Sequence, residues 1–163
     1  MKRTFICLFL ALCFTFSLCV YACADNSAAG TRDFTDSTGR TVTLPEKVTR
    51  RAVSGPLAQV YIIPIAGDMM VGVSNAFSSE AELYLPEHII KANEIGQLYG
   101  GKGEMDLEAL LAAAPDVVID VGETKSSTKE DLQALTEQTG IPFVHVYATV
   151  NTAPDAYRML GEL

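Results

Sequence analysis

Two histidines, several serines, two close carboxylate pairs and one glycine-rich loop are the groups in this chain that chemistry could draw on. His88 and His145 stand 57 positions apart, and His145 sits inside the apolar run PFVHVY with no acidic residue beside it. That spacing does not indicate a paired-histidine metal site, and each ring is expected to be a surface or partly buried side chain with a satisfied hydrogen bond. Ser54, Ser74 and Ser126 are the candidate nucleophiles, but none lies in a G-x-S-x-G elbow. Glu80 with Glu82, and Glu104 with Asp106, are pairs at i, i+2, which point apart on a helix. YGGKGE (99–104) has the small residues a phosphate cradle needs. It follows no strong strand, lacks Ser or Thr after Lys102 and does not fit G-x-G-x-x-G, so a flexible loop is expected there.

The cysteines carry a different message, because all four (Cys7, Cys13, Cys19 and Cys23) precede residue 24. They lie in or just after an apolar run from Phe5 to Val20 that follows Met1, Lys2 and Arg3 and gives way to small residues. A basic start, an apolar core and a small-residue zone are the parts of a secretory signal. Two cleavage readings stand side by side. Ala22 and Ala24 form an A-x-A site that releases a cysteine-free soluble protein. Val20, Tyr21, Ala22 and Cys23 resemble the bacterial lipobox, in which Cys23 is lipidated and becomes the new N-terminus. The segment after it, Asp25 to Thr38, is rich in Asp, Ser, Thr, Ala and Gly and suits a flexible tether, which favours the lipoprotein. Under either reading no disulfide staples the mature domain.

About 140 residues remain after cleavage, enough for one domain with its own core. Removing Lys2 and Arg3 from the twelve basic residues leaves ten against twenty acidic ones, a mature net charge of −10. Nucleic acid and anionic lipid are poor partners for such a surface. Only the signal core approaches membrane-spanning length.

The elements that must position any site follow from hydrophobic period and punctuation. FTDSTGRTVTLP reads as a hairpin, with Val42 and Leu44 at period two before Pro45. RRAVS is a brief strand, Gly55 and Pro56 open a helix to about Ala66, and MMVGVS is the next strand. Residues 79–92 give short helical pieces, and NEIGQ a very short strand. Asp106 caps a helix whose Leu107, Leu110, Leu111 and Ala114 form one apolar stripe, ended by Pro115. DVVIDV and PFVHVY are continuous apolar runs, as expected of strands covered on both faces. Between them Thr128 and Asp131 form a capping-box start, Leu132 and Leu135 face inward, and Gly140 with Pro142 stops the helix. A further helix begins at Thr152. Alternating strands and helices predict right-handed βαβ units and the α/β class: a Rossmann-like, mostly parallel sheet with flanking helices, preceded by a short hairpin. Ligands then meet the carboxyl ends of the strands, at Ser54 and Gly55, Ser74 to Phe77, and Gly122 to Ser127.

Four stretches, FTDSTGRTVTLPEKVTRRAVS, IAGDMMVGVSNAF, MDLEALLAAAPDVVID and LTEQTGIPFVHVYA, resemble in order and spacing the N-terminal lobe of the class III substrate-binding proteins of iron-siderophore, haem and cobalamin ABC importers. The resemblance covers roughly residues 33 to 163. It implies a non-enzymatic lobe of a two-lobed protein with no resident cofactor, one wall of a cleft for a metal chelate such as a ferric siderophore, haem or corrinoid. The positions matching the ligand face are Ser54, Asn75, Phe77, Tyr84, Tyr99, Glu123 and Lys125. Of these, the aromatic rings offer flat contact area and Lys125 a charge for an anionic siderophore. Glu108 matches the glutamate that meets an arginine of the permease, through which the lobe would work with an ATPase. The implied location is extracytoplasmic, lipid-anchored on the outer face or periplasmic. The resulting division is signal 1–22, tether 23–38, lobe 39–154 and, at 155–163, the start of an interlobe helix inside which the chain stops, as expected first of a fragment or truncated gene and second of a single lobe that works alone or pairs with another chain. The competing expectation is a secreted α/β enzyme whose active site the motifs do not reveal.

Overall fold

The computed structural model describes residues 30–99, 104–149 and 151–163. The expected signal segment, Cys23, the tether up to residue 29 and the centre of the glycine-rich loop lie outside them. Thr31–Thr35 (β1) pairs antiparallel with Thr41–Pro45 (β2), placing Phe34 opposite Val42 and Arg32 opposite Leu44. This corrects the expected tether, since its last part is a strand and the folded unit starts at Thr31 rather than at residue 39. The hairpin expected from Phe34 onward is present, but it begins three residues earlier, at Thr31, where polar composition hid the strand because Phe34 alone marks its buried side.

The main sheet takes β3 (Arg51–Ser54), β4 (Met70–Val73), β5 (Asn93–Glu94), β6 (Val117–Gly122) and β7 (Phe143–Tyr147). They lie in the order β5-β4-β3-β6-β7, all parallel. The helices are α1 (Pro56–Ala66), α2 (Glu87–Ile90), α3 (Leu107–Ala113), α4 (Thr128–Thr139) and α5 (Ala153–Gly161). Alternation along β6 sends Val117, Ile119 and Val121 into a core shared with α1, α5 and the hairpin, and Val118 into a second core with Leu110 of α3 and Leu132 of α4. Complete burial of side chains such as Leu110, Leu132 and Phe143 contributes about 1.5–3 kcal/mol each. Both faces of β6 and β7 are covered, which is why their sequences read as apolar runs.

Two local expectations change. Leu111 is 53% exposed, because in the short α3 the inward side is taken by Leu110 and Ala113. The capping box of α4 does not form. Its N-cap is Ser127, the Thr128 hydroxyl accepts from the Lys125 N–H at 2.9 Å, and the Asp131 carboxylate accepts from Tyr99. The helix ends do follow the sequence. Asp106 accepts from the Ala109 N–H at 2.9 Å, and Gly140 closes α4 in the left-handed region. Among the described residues no helix is long and apolar enough to cross a membrane.

Candidate functional site

The chain leaves β3 to build β4 and β5 on one side, then returns to build β6 and β7 on the other. Connections from β3 and β6 therefore diverge, and a crevice opens between their carboxyl ends. A cleft of ≈ 300 Å³ lies there, lined by Ser54, Gly55 and Leu57 from the β3 side and by Asp120, Glu123 and Lys125 from the β6 side, with Tyr99 between. Gly55 has φ 89 at the start of α1, a backbone conformation that lets the strand turn sharply into the helix without a side chain.

Four of the expected site residues meet in this cleft: Ser54, Tyr99, Glu123 and Lys125. Ser54 is buried and its hydroxyl accepts from the Leu98 N–H at 2.9 Å, so it holds the segment before Tyr99 against β3. Tyr99 donates its hydroxyl to Asp131 of α4 at 2.7 Å. Burial, and next the bond to Asp131, push the Tyr99 phenol up to about 12, so it remains a protonated donor at neutral pH. The Lys125 ammonium stands 4.2 Å from the centre of the Tyr99 ring, a cation–π contact that fixes a charge above a flat apolar surface. The cleft thus offers an aromatic plate, one ammonium and two carboxylates.

The remaining three expected residues lie elsewhere. Asn75 lines a separate hollow of ≈ 420 Å³ with Ser74, Glu94, Glu104 and Asp106. There the Gln59 side-chain oxygen accepts from the N–H groups of Ser74 and Asn75. Gly96 borders this hollow at φ 74, where a Cβ would stand 2.4 Å from the Glu104 carbonyl oxygen. Phe77 turns back to pack on the core beside α1. Tyr84, 83% exposed on a 3-10 turn (Ala81–Leu83 and its cap), lines neither cavity. Glu108 is exposed in the first turn of α3.

The sequence missed Asp120 and the role of His145. In register, Asp120 faces Ser54 on one neighbouring strand and His145 on the other. His145, 1% exposed, places Nδ1 2.7 Å from Asp120 Oδ2 and Nε2 2.9 Å from Thr124 Oγ1. The expectation of a surface or partly buried ring is therefore wrong for His145, although its hydrogen bonds are satisfied as expected, and the acidic residue absent beside it in the chain faces it in the fold. Its partner lies across the sheet, 25 positions away in the chain. The available signal was an aspartate at the carboxyl end of an otherwise apolar run. His88 is exposed, with Nε2 3.2 Å from the Gly67 carbonyl oxygen. Among the described residues, no cluster of three or more His, Cys, Asp or Glu side chains is arranged to hold a metal ion.

No protein-family model matches the chain, and no curated protein matches it. Solved structures do. An ABC transporter solute binding protein from Sulfurospirillum deleyianum is 28% identical with a TM-score of 0.65, over 80% of this chain and 41% of that one. The molybdate periplasmic binding protein of a Haemophilus influenzae ABC transporter, solved bound to molybdate, is 21% identical with a TM-score of 0.56, over 78% of this chain and 38% of that one. A heme binding protein is 19% identical with a TM-score of 0.53, over 84% of this chain and 41% of that one. The chain has the fold of one lobe of the ABC-transporter solute-binding proteins, and it spans between 38% and 41% of the length of these three.

Proposed function

We propose that this chain is the first, ligand-facing lobe of an extracytoplasmic substrate-binding protein that delivers a metal chelate, of the ferric siderophore, haem or corrinoid kind, to the permease and ATPase of an ABC importer. The observation that carries the reading is the cleft at the diverging ends of β3 and β6, where Tyr99 and Lys125 form a flat charged plate in a lobe of this fold. Large chelates present planar or propeller-shaped apolar surface together with charge, and such a plate matches both. A second lobe supplies the opposite wall in this reading. The isolated chain therefore binds haemin, a ferric trihydroxamate or cyanocobalamin far more weakly than a closed cleft does, because a ligand covered on one side leaves much of its apolar area in water. An absorbance titration of the purified chain tests this: weak, site-specific binding of one probe supports it, and tight saturable binding of any probe overturns the one-wall account.

Attachment through a lipid on Cys23 belongs to the same proposal and rests on the lipobox-like VYAC. Cys23→Ser is expected to move the protein from the membrane to the soluble fraction while export persists. Native protein that is wholly soluble and begins at Asp25 contradicts the anchor.

One observation favours a second reading, a hydrolase. The order Thr124 hydroxyl, His145, Asp120 is that of a nucleophile, its base and an orienting acid. The ring's near-complete burial, and the commitment of the Lys125 N–H to Thr128 rather than to a developing oxyanion, weigh against it. Turnover of activated esters that is lost in Thr124→Val would establish it.

A further inference from the structure

We propose that His145 is a positioning residue for the cleft: through Thr124 it fixes the segment 122–127 that presents Glu123 and Lys125. This inference rests on the reading of the cleft as a ligand site. The Asp120 carboxylate only accepts hydrogen bonds, so the His145 nitrogen 2.7 Å away carries its hydrogen. In the neutral ring the other nitrogen is then an acceptor for the Thr124 hydroxyl at 2.9 Å. Asp120 is itself set between β3 and β7, opposite Ser54 and His145. The line therefore runs from the middle of the sheet to an exposed residue two positions beyond the end of β6.

Thr124 belongs to no helix or strand; behind it the Gly122 carbonyl accepts from the Ala148 N–H at 3.0 Å, and beyond that backbone bond the Thr124 hydroxyl joins this stretch to the buried His145. The next residue is tied to the other side, with the Lys125 N–H donating to the Thr128 hydroxyl at the start of α4. Lys125 then reaches back over Tyr99, which is anchored to α4 through Asp131. A loop held at both ends loses less freedom when a ligand engages it, so the ties act on affinity without touching the ligand. His145 is suited to this role because only a ring with a nitrogen on each side bridges a buried carboxylate and a hydroxyl outside the strand.

Three variants of the full 163-residue chain separate the two ends of the line. His145→Asn keeps an amide near the Nδ1 position, facing Asp120, and falls short of Thr124. His145→Gln reaches the Nε2 position and Thr124 instead. Thr124→Val removes only the hydroxyl and leaves His145 and its bond to Asp120 in place. Hydrogen exchange at amides 123–127 is expected to quicken by about 3- to 10-fold in Thr124→Val and His145→Asn, the worth of one net hydrogen bond, while His145→Gln stays near wild type. Affinity for whichever of haemin, a ferric trihydroxamate or cyanocobalamin the wild type binds is expected to fall by a similar factor in the same two variants. Wild-type exchange in Thr124→Val, or equal loosening in the Asn and Gln variants, overturns the proposal by reducing His145 to core packing. Ester turnover abolished by Thr124→Val overturns it in favour of a nucleophile. The expected exchange pattern with none of haemin, a ferric trihydroxamate and cyanocobalamin binding the wild type supports the tie and overturns the ligand reading instead.

Discussion

Asp36→Ala is expected to lower folding stability by about 3–5 kcal/mol, because it leaves a buried guanidinium without its counter-charge. The Asp36 side chain is fully shielded and accepts from the Thr38 N–H and hydroxyl at 2.9 and 2.6 Å, and from Arg40 Nε and Nη2 at 3.1 and 2.8 Å. The Arg40 side chain is 6% exposed and also donates to the Phe143 carbonyl of β7, while Ser37 donates its N–H to the His145 carbonyl at 2.9 Å. The hairpin turn thus covers the outer edge of β7, an edge that would otherwise be open to pairing with another chain. Denaturant unfolding measures the loss, and a change below about 1 kcal/mol contradicts a committed ion pair. Replacing both partners, as in Asp36→Ala with Arg40→Met, is expected to be milder than the single change. Burial opposes the Asp36 charge, but hydrogen bonds from Thr38 and Arg40 and the Arg40 charge outweigh it and hold the carboxyl below its ordinary 3.8. A depressed carboxylate contributes stability that is complete above the unfolded value and is lost as pH falls through the folded one. The wild type should therefore weaken below pH 3.8, and Asp36→Ala should show a flatter acid limb.

Glu108→Ala, placed in a full two-lobed protein, is expected to reduce permease docking by about 30-fold or more while leaving chelate affinity unchanged. Truncating one member of a desolvated interfacial charge pair costs about 2–5 kcal/mol, whereas the exposed carboxylate in the first turn of α3 contributes only about 0.3–1 kcal/mol to folding. Asp106→Ala is the control. Its carboxylate caps α3 through the Ala109 N–H, so its loss costs about 0.5–2 kcal/mol of stability but spares docking once the protein is folded. A Glu108→Ala protein that transports normally, or whose defect tracks stability as the control does, makes Glu108 a well-placed helix charge and nothing more.

The elements that sequence reveals here are those whose pattern is set by their own neighbours in the chain. DVVIDV and PFVHVY announce strands buried on both faces, and Asp106 and Gly140 mark helix ends, because the physical cause of each lies within a few residues. What depended on partners across the sheet was hidden. Phe34 becomes a core residue only once β1 pairs with β2, and Asp120 meets His145 only once β6 and β7 are in register. The site divides in the same way. Ser54, Tyr99, Glu123 and Lys125 lie on strand-end connections around the crevice and converge there. Phe77 and Tyr84 sit in a longer connection whose own short turns lay one ring, half-buried, against the core and send the other into solvent.

In the proposed reading the crevice between β3 and β6 is one wall of a chelate-binding cleft. Chemical-shift mapping of the isotope-labelled chain during titration with haemin, a ferric trihydroxamate and cyanocobalamin tests it directly, since it detects weak binding and locates it. For at least one probe, shifts are expected to concentrate at Ser54, Gly55, Tyr99 and 122–125, with the hairpin turn and the far end of α4 unmoved. Shifts centred elsewhere, or none with any probe near its solubility limit, contradict it.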